Sequence, residues 1–193
     1  MSMAQDLPIV EVRDQRAWCD WLEENHEALP GVWLKFAKKG SPTPTVTYPE
    51  AIEEALCFGW IDGQARRYDE FFYLQRFTPR RGKSRWSQIN REKATRLIAE
   101  GRMRPAGLAQ VEAARVDGRW EAAYPAQSRA TVPVDFQRAL DENERARNFF
   151  ETLTGSARYA FLYRLHQVSD PKARAARIKK YVELLGAGRT LQD

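Results

Sequence analysis

The chain has 193 residues, with 31 Lys and Arg against 26 Asp and Glu, and 43% hydrophobic residues that include six Trp, seven Tyr and nine Phe. That much aromatic and aliphatic surface excludes a disordered chain, because its burial offsets the entropy of ordering. Mean hydropathy is −0.63, no apolar run approaches the roughly 20 residues a membrane helix needs, and Cys19 and Cys57 are too few for a disulfide scaffold or a four-ligand zinc site.

The N-terminal stretch Met1 to Val10 has neither a basic start nor an apolar core, so no secretion signal is expected and the chain reads as soluble and cytoplasmic. Its charge is segregated. Residues 66–104 hold 12 Lys and Arg against four Asp and Glu, and residues 158–180 hold seven against one. With a whole-chain charge of +5, the remainder is acidic. Two basic zones on an acidic remainder create a local field able to attract anions, although many charge runs only solvate a face.

In chain order, a short strand is expected at Pro8–Val12, followed by a helix that Asp14 caps and that sets Ala17, Trp18, Trp21 and Leu22 on one face. Pro30-Gly31 ends it. Val32, Leu34 and Phe36 then alternate with Trp33, Lys35 and Ala37 in a half-buried strand, Val32–Lys38. Residues 40–44 read as a loop. Thr47 or Tyr48 opens a helix with Pro49 near its start; that helix buries Ala51, Ile52, Ala55 and Leu56, and Gly59 stops it. Strands follow at Trp60–Tyr68 and Phe71–Thr78, joined by a hairpin turn at Tyr68-Asp69-Glu70. After a basic loop from Pro79 to Arg85, Ser87 caps a helix carrying Ile89, Ala94, Leu97 and Ile98, and Pro105 or Ala106 starts the next. Residues 122–133 look like a connector. Beyond them one helix runs from Asp135 to about Leu153, Ser156 caps another, and Asp170-Pro171 opens the last, which ends near Gly186. Strands followed by helices predict an α+β fold: a small antiparallel sheet flanked by helices, with a C-terminal helical layer packed on it. The expected division is residues 1–121 as the sheet-and-helix part, 122–134 as connector and 135–193 as the helical part.

The sharpest constellation is an arginine cluster: Arg66, Arg67, Arg76, Arg80 and Arg81, with Ser84, Trp86, Ser87 and Asn90 beside it and Lys83 and Arg85 in the same loop. Arg66 or Arg67 and Arg76 lie on two arms of one hairpin; Arg80 and Arg81 belong to what reads as an exposed loop before a helix start. Guanidinium forks match phosphate and carboxylate, and a helix N-terminus adds free N–H groups. The competing reading makes these arginines a brace, with Arg76 paired to Asp62 or Asp69 and stacked on Trp60 or Trp86. Trp60-Ile61-Asp62-Gly63 offers Asp62 as a base or arginine partner and Gly63 as a place of close backbone approach, or simply a turn.

Cys57 sits at a helix C-terminus, where the dipole does not favour a thiolate. His26 and His166 are the only histidines and lie far apart. No metal-ligand spacing, dinucleotide fingerprint or phosphate-binding loop is present, so neither cofactor nor metal is expected. In the second basic zone, Arg158, Arg164, Lys172, Arg174, Arg177, Lys179 and Lys180 share helices with Tyr159, Leu162, Tyr163, Ile178, Tyr181, Val182 and Leu185, which read as core.

Several stretches resemble one bacterial family: Cys57-Phe58-Gly59-Trp60-Ile61-Asp62-Gly63, Arg76-Phe77-Thr78-Pro79-Arg80-Arg81, then Ser84, Trp86-Ser87 and Asn90. Gly101-Arg102-Met103, Pro105-Ala106-Gly107-Leu108, Asp117-Gly118-Arg119-Trp120 and the run from Leu153 through Tyr159 to Arg177-Ile178 and Lys180-Tyr181-Val182 continue the pattern. Over about residues 8–186 the chain resembles the YdeI/OmpD-associated family, and its N-terminal part remotely resembles the YjbR/CyaY-like folds. The resemblance implies an association with an outer-membrane porin and protection against bacteriocins or cationic peptides; it implies no reaction. The acidic iron-binding ridge of the CyaY side is poorly matched by Glu23, Glu24, Glu27, Glu50, Glu53 and Glu54.

Three expectations follow. The first is a non-enzymatic cytoplasmic accessory protein that holds an anionic small molecule or phosphate group at the arginine cluster, linked to envelope stress or antimicrobial-peptide tolerance. The second is a nucleic-acid-binding module that uses both basic zones with Trp86, Phe72 and Tyr73 as stacking groups. The third is an enzyme acting on an anionic small molecule, with Asp62 as its acid or base. A protein partner is implied by the family name, and membrane insertion is not expected.

Overall fold

The computed structural model describes residues 7–193, so most of the N-terminal stretch read for a secretion signal lies outside the described residues. The chain divides into two compact units, the first ending at Ala123 and the second being Tyr124–Asp193. No helix among the described residues is long and apolar enough to cross a membrane.

The first unit runs β1 (Ile9–Val10), α1 (Gln15–Asn25), β2 (Val32–Ala37), α2 (Tyr48–Cys57), β3 (Trp60–Arg67), β4 (Phe72–Pro79), α3 (Gln88–Ala99) and α4 (Pro105–Val116). The helix starts follow from side chains that satisfy free N–H groups. Asp14 accepts from the Ala17 N–H at 2.8 Å and Ser87 from the Asn90 N–H at 3.1 Å, while Thr47 and Glu50 form a capping box before α2. Gly107 of α4 sits where a Cβ would collide with the carbonyls of Cys57 and Leu56, so α4 approaches the end of α2 as closely as backbone allows.

The four strands lie in the order β1-β2-β4-β3. β2, β4 and β3 pair antiparallel as expected, but β1 pairs parallel with β2, so the sheet is mixed and not purely antiparallel. The physical reason is connection length: α1 lies between β1 and β2 and supplies the crossover that a parallel pair needs. One sheet face is covered. Val32, Leu34 and Phe36 of β2 and Phe77 of β4 share a core with Trp18 and Leu22 of α1 and Ala51, Ile52, Ala55 and Leu56 of α2. Among the described residues, the buried cluster on the other face is small: Leu7, Trp33 and Leu74.

The second unit has a 3-10 turn at Gln127–Arg129 and then α5 (Val134–Asp141), α6 (Glu144–Thr152), α7 (Gly155–His166) and α8 (Pro171–Gly186). The single helix expected from Asp135 to Leu153 is two helices. Asn143 leaves helical geometry, with φ −135° and ψ 94°, and its side chain accepts from the Ala146 N–H at 3.0 Å. It therefore caps a new helix instead of continuing the old one. Each helix contributes one ring to a closed set of edge-to-face contacts: Phe136 to Phe150 at 5.3 Å, Phe150 to Phe161 at 6.1 Å, Phe161 to Tyr181 at 5.1 Å, and Tyr181 back to Phe136 at 6.4 Å. Much of the second basic zone serves this unit internally. Arg174 pairs with Asp135 at 2.5 Å and holds the Asp135 carboxyl below its usual range, Arg158 donates to the Phe150 carbonyl at 3.1 Å, and Arg177 donates to the Arg164 carbonyl at 3.1 Å.

Candidate functional site

The expected arginine cluster separates into two groups. Strand alternation decides the first. Trp33 of β2 is directly opposite Arg76 of β4, and Arg66 of β3 is opposite Leu74, so Trp33, Leu74, Arg76 and Arg66 share the face of the sheet that α1 and α2 leave uncovered. Arg66 reaches across β4 and sets its guanidinium 4.0 Å from the centre of the Trp33 ring. Lys35, on the same face, lies 3.9 Å over Phe72 and pairs with Glu11 at 2.7 Å, which raises its pKa above the ordinary lysine value. Arg67 is opposite Tyr73 and so points to the other face.

Arg76 lies where β3 is irregular. The register shifts between Asp62 and Ala65, and Gly63 presents bare backbone to the Arg76 stem, with room for a Cβ at 3.7 Å. From the opposite face, buried Gln75 donates to the Gly63 carbonyl at 2.7 Å and so satisfies the bulge. The brace expected of Arg76 is not what forms. Asp62 accepts instead from the Tyr48 hydroxyl at 2.7 Å, and Asp69 accepts from the backbone N–H groups of Phe71 and Phe72 within the hairpin turn. Arg76 Nε and Trp33 Nε1 are both buried, and neither has a hydrogen-bond partner among the described residues. Such a donor costs about 1–3 kcal/mol to leave unmet, and here two sit in directly opposed residues.

The second group belongs to the loop before α3. Arg80 is not an exposed loop residue: it is 5% exposed, lies 3.6 Å over the Trp86 ring and donates to the Arg85 carbonyl at 3.1 Å. Trp86 is 1% exposed and meets Trp120 edge-on at 4.9 Å. Arg81 is exposed, and its N–H donates to the Ser84 hydroxyl at 2.8 Å in a tight turn. Ser87 spends its side chain on the α3 cap. Trp60 is buried in the core, where its Nε1 donates to the His26 carbonyl at 3.1 Å. Trp60 and Trp86 therefore do not wall a pocket around Arg76. The stacking groups considered for nucleic acid are likewise occupied: Trp86 under Arg80, Phe72 under Lys35, and Tyr73 stacked on Phe36 at 5.3 Å.

Trp33, whose signal in the sequence is only its place in an alternating strand, and the arginines of α3 and the turn after it were not among the expected site residues. Arg102 pairs with Glu54 at 2.5 Å and Glu53 at 3.3 Å, Arg96 also pairs with Glu53, and Arg104 pairs with Glu23 at 3.2 Å. No group of three or more His, Cys, Asp or Glu among the described residues is placed to hold a metal ion. Burial pushes the Cys57 thiol up to about 12 and also raises that of Cys19.

Comparison with known families divides the chain at nearly the same place as its structure does. Residues 10–110 match the model of a domain of unknown function, DUF8412, and residues 129–188 match the model described as Bacteriocin-protection, YdeI or OmpD-Associated. The chain belongs to the DUF8412 family, and its second unit is similar to the YdeI/OmpD-associated family. No curated protein and no solved structure matches it. The YdeI/OmpD-associated match is narrower than the span 8–186 over which the motifs suggested it. The Trp60-Ile61-Asp62-Gly63 motif and the uncovered sheet face lie in the DUF8412 segment, whereas the YdeI/OmpD-associated segment comprises the 3-10 turn and α5 to α8.

Proposed function

We propose that this YdeI/OmpD-associated protein is a non-enzymatic accessory protein of the bacterial cytoplasm that holds an anionic group, a phosphate or carboxylate, on the uncovered face of its sheet. The role served would be the bacteriocin protection for which the family is named. One observation carries the reading: Arg76 and Trp33, directly opposed on β4 and β2, each bury a donor, Nε and Nε1, with no partner among the described residues, and the Arg66 guanidinium lies over the Trp33 ring. All three groups donate hydrogen bonds and none accepts, which is the complement of an oxyanion. A set of donors with no acceptor among them suits holding an anion better than chemistry on it. Arg66 is exposed, and a cation–π contact at such a site is worth only about 0.5–1 kcal/mol. It can swing off Trp33, uncover the two donors and become the third contact. Both cysteines are free, which suits a reducing compartment.

Isothermal titration with inorganic phosphate at constant ionic strength tests the reading. Wild type and Arg81→Gln are expected to bind alike, and Arg76→Gln and Arg66→Gln to lose affinity about tenfold or more, since a charge-assisted hydrogen bond contributes about 1.5–3 kcal/mol. Equal affinity in all four proteins would contradict it. So would tight binding of an oligonucleotide with a steep salt dependence and none of phosphate, the signature of a nucleic-acid interface.

A further inference from the structure

The first unit contains a second gathering of polar side chains, away from the uncovered sheet face. Between α1, α2 and the turn after α3 lies a cleft of about 520 Å³, lined by Gln15, Arg16, Cys19, Glu54, Arg102 and Arg104. Cavities of this size accommodate small metabolites.

Its floor is rigid. Glu54 is 6% exposed, and its Oε1 accepts from Gln15 Nε2 at 2.6 Å and from Arg102 Nη2 at 2.5 Å. Arg102 is fixed further by Glu53 and by its own N–H, which donates to the Leu97 carbonyl at 3.0 Å. Arg102 opposes Glu54 directly, and Glu53 is shared with Arg96 and Lys93, so Arg102 has no charge to spare. Arg104 and Arg16 are different. The Arg104 backbone is anchored, its N–H donating to the Cys57 carbonyl at 3.0 Å, but its guanidinium meets Glu23 at 3.2 Å in a pair whose side chains are 49% and 57% exposed. Arg16 meets Asp20 at 2.9 Å in a pair 84% and 55% exposed. Exposed pairs of this kind are weak and exchange readily for another anion. Two available guanidinium groups thus stand on the walls of a cleft whose floor is a neutralised carboxylate.

We propose that this cleft binds a small di- or tricarboxylic acid, with Arg104 and Arg16 as the gripping groups and the Gln15–Glu54–Arg102 set as its fixed floor. Separate carboxylates on one ligand reach separate guanidinium groups and keep their charge off Glu54. A single compact phosphate would concentrate its charge in one place above that carboxylate. Cys19, half-buried on the cleft wall, supplies a built-in reporter, whereas Cys57 is buried. Burial and the adjacent Glu54 raise the Cys19 thiol pKa, Arg104 opposes them, and modification of the half-buried thiol is sensitive to what covers it.

Citrate is the probe, used with the full chain at constant ionic strength. Wild type is expected to bind citrate and, when saturated, to lose Cys19 alkylation by iodoacetamide at least fivefold. Arg104→Gln is expected to bind citrate at least tenfold more weakly and to lose the protection. Arg76→Gln, on the sheet face, is expected to behave as wild type, so the outcome is independent of the phosphate reading above. Unchanged tryptophan-monitored unfolding of Arg104→Gln establishes that its fold is intact. Equal citrate affinity in Arg104→Gln and wild type, alkylation unaffected by citrate, or equal protection by phosphate would each overturn the proposal.

Discussion

Arg102→Ala is expected to destabilise the first unit by about 3–5 kcal/mol, the cost of leaving one member of a buried ion pair without its partner. Glu54 is buried on α2, and Arg102 Nη2 and Gln15 Nε2 converge on the same carboxylate oxygen. Remove the guanidinium and one neutral amide remains to oppose a charge that is only 6% exposed. All six tryptophans lie in the first unit, between Trp18 and Trp120, so urea unfolding followed by tryptophan fluorescence reports on that unit directly. The double variant Glu54→Met with Arg102→Ala separates charge from shape: it is expected to recover most of the loss, because the buried charge disappears together with its partner. A loss below about 1 kcal/mol in Arg102→Ala would mean that water from the cleft already solvates Glu54.

In the second unit the largest expected effect is that of Phe150→Ala, at about 3–5 kcal/mol. Phe150 is 2% exposed and forms two links of the four-ring circuit, to Phe136 and to Phe161; it also lies beneath Arg158, whose guanidinium is 4.2 Å from its centre. Its removal opens a cavity where α5, α6 and α7 meet and leaves Arg158 without its aromatic support. The helical far-UV circular dichroism of the chain is expected to melt at lower temperature, whereas Phe149→Ala, on a half-buried neighbour, costs less. Similar melting of both variants would show that the circuit does not organise the unit.

Much of the fold was legible because its signals are local. Asp14 and Ser87 cap helices as their positions suggested, and Thr47 with Glu50 does the same. The alternation in Val32–Ala37 and Phe72–Pro79 marked two faces correctly, and the hairpin turn fell where Asp69 accepts from Phe71 and Phe72. What stayed hidden depends on partners distant in sequence. A two-residue strand at Ile9–Val10 gives no sign of whether it will pair parallel or antiparallel. Asn143 sits in the polar run Asp141-Glu142-Asn143-Glu144, where a helix continuing and a helix restarting look the same.

The candidate site was legible in composition but not in arrangement. Arg66 and Arg76 are legible as residues of one hairpin, yet their shared neighbour Trp33 is on β2, and only the strand order puts it beside them. Arg80 read as exposed because it stands in a run of charged residues, and it is buried because Trp86 folds under it. Glu53 and Glu54 read as an acidic helix face; their arginine partners Arg96 and Arg102 come more than forty residues later, beyond the sheet.

The two buried donors on the uncovered sheet face are the centre of this account, and nitrogen–proton NMR correlation spectra observe them directly. On titration with inorganic phosphate at constant ionic strength, the Arg76 Nε–H and Trp33 indole N–H resonances are expected to move together along one saturable curve, and the Arg66 Nε–H with them. The indole resonances of Trp60 and Trp86, which lie in the core, are expected to stay in place. Movement of Arg81 and Lys83 alone, with Arg76 and Trp33 unshifted at saturation, would contradict the account and return the anion to the loop before α3.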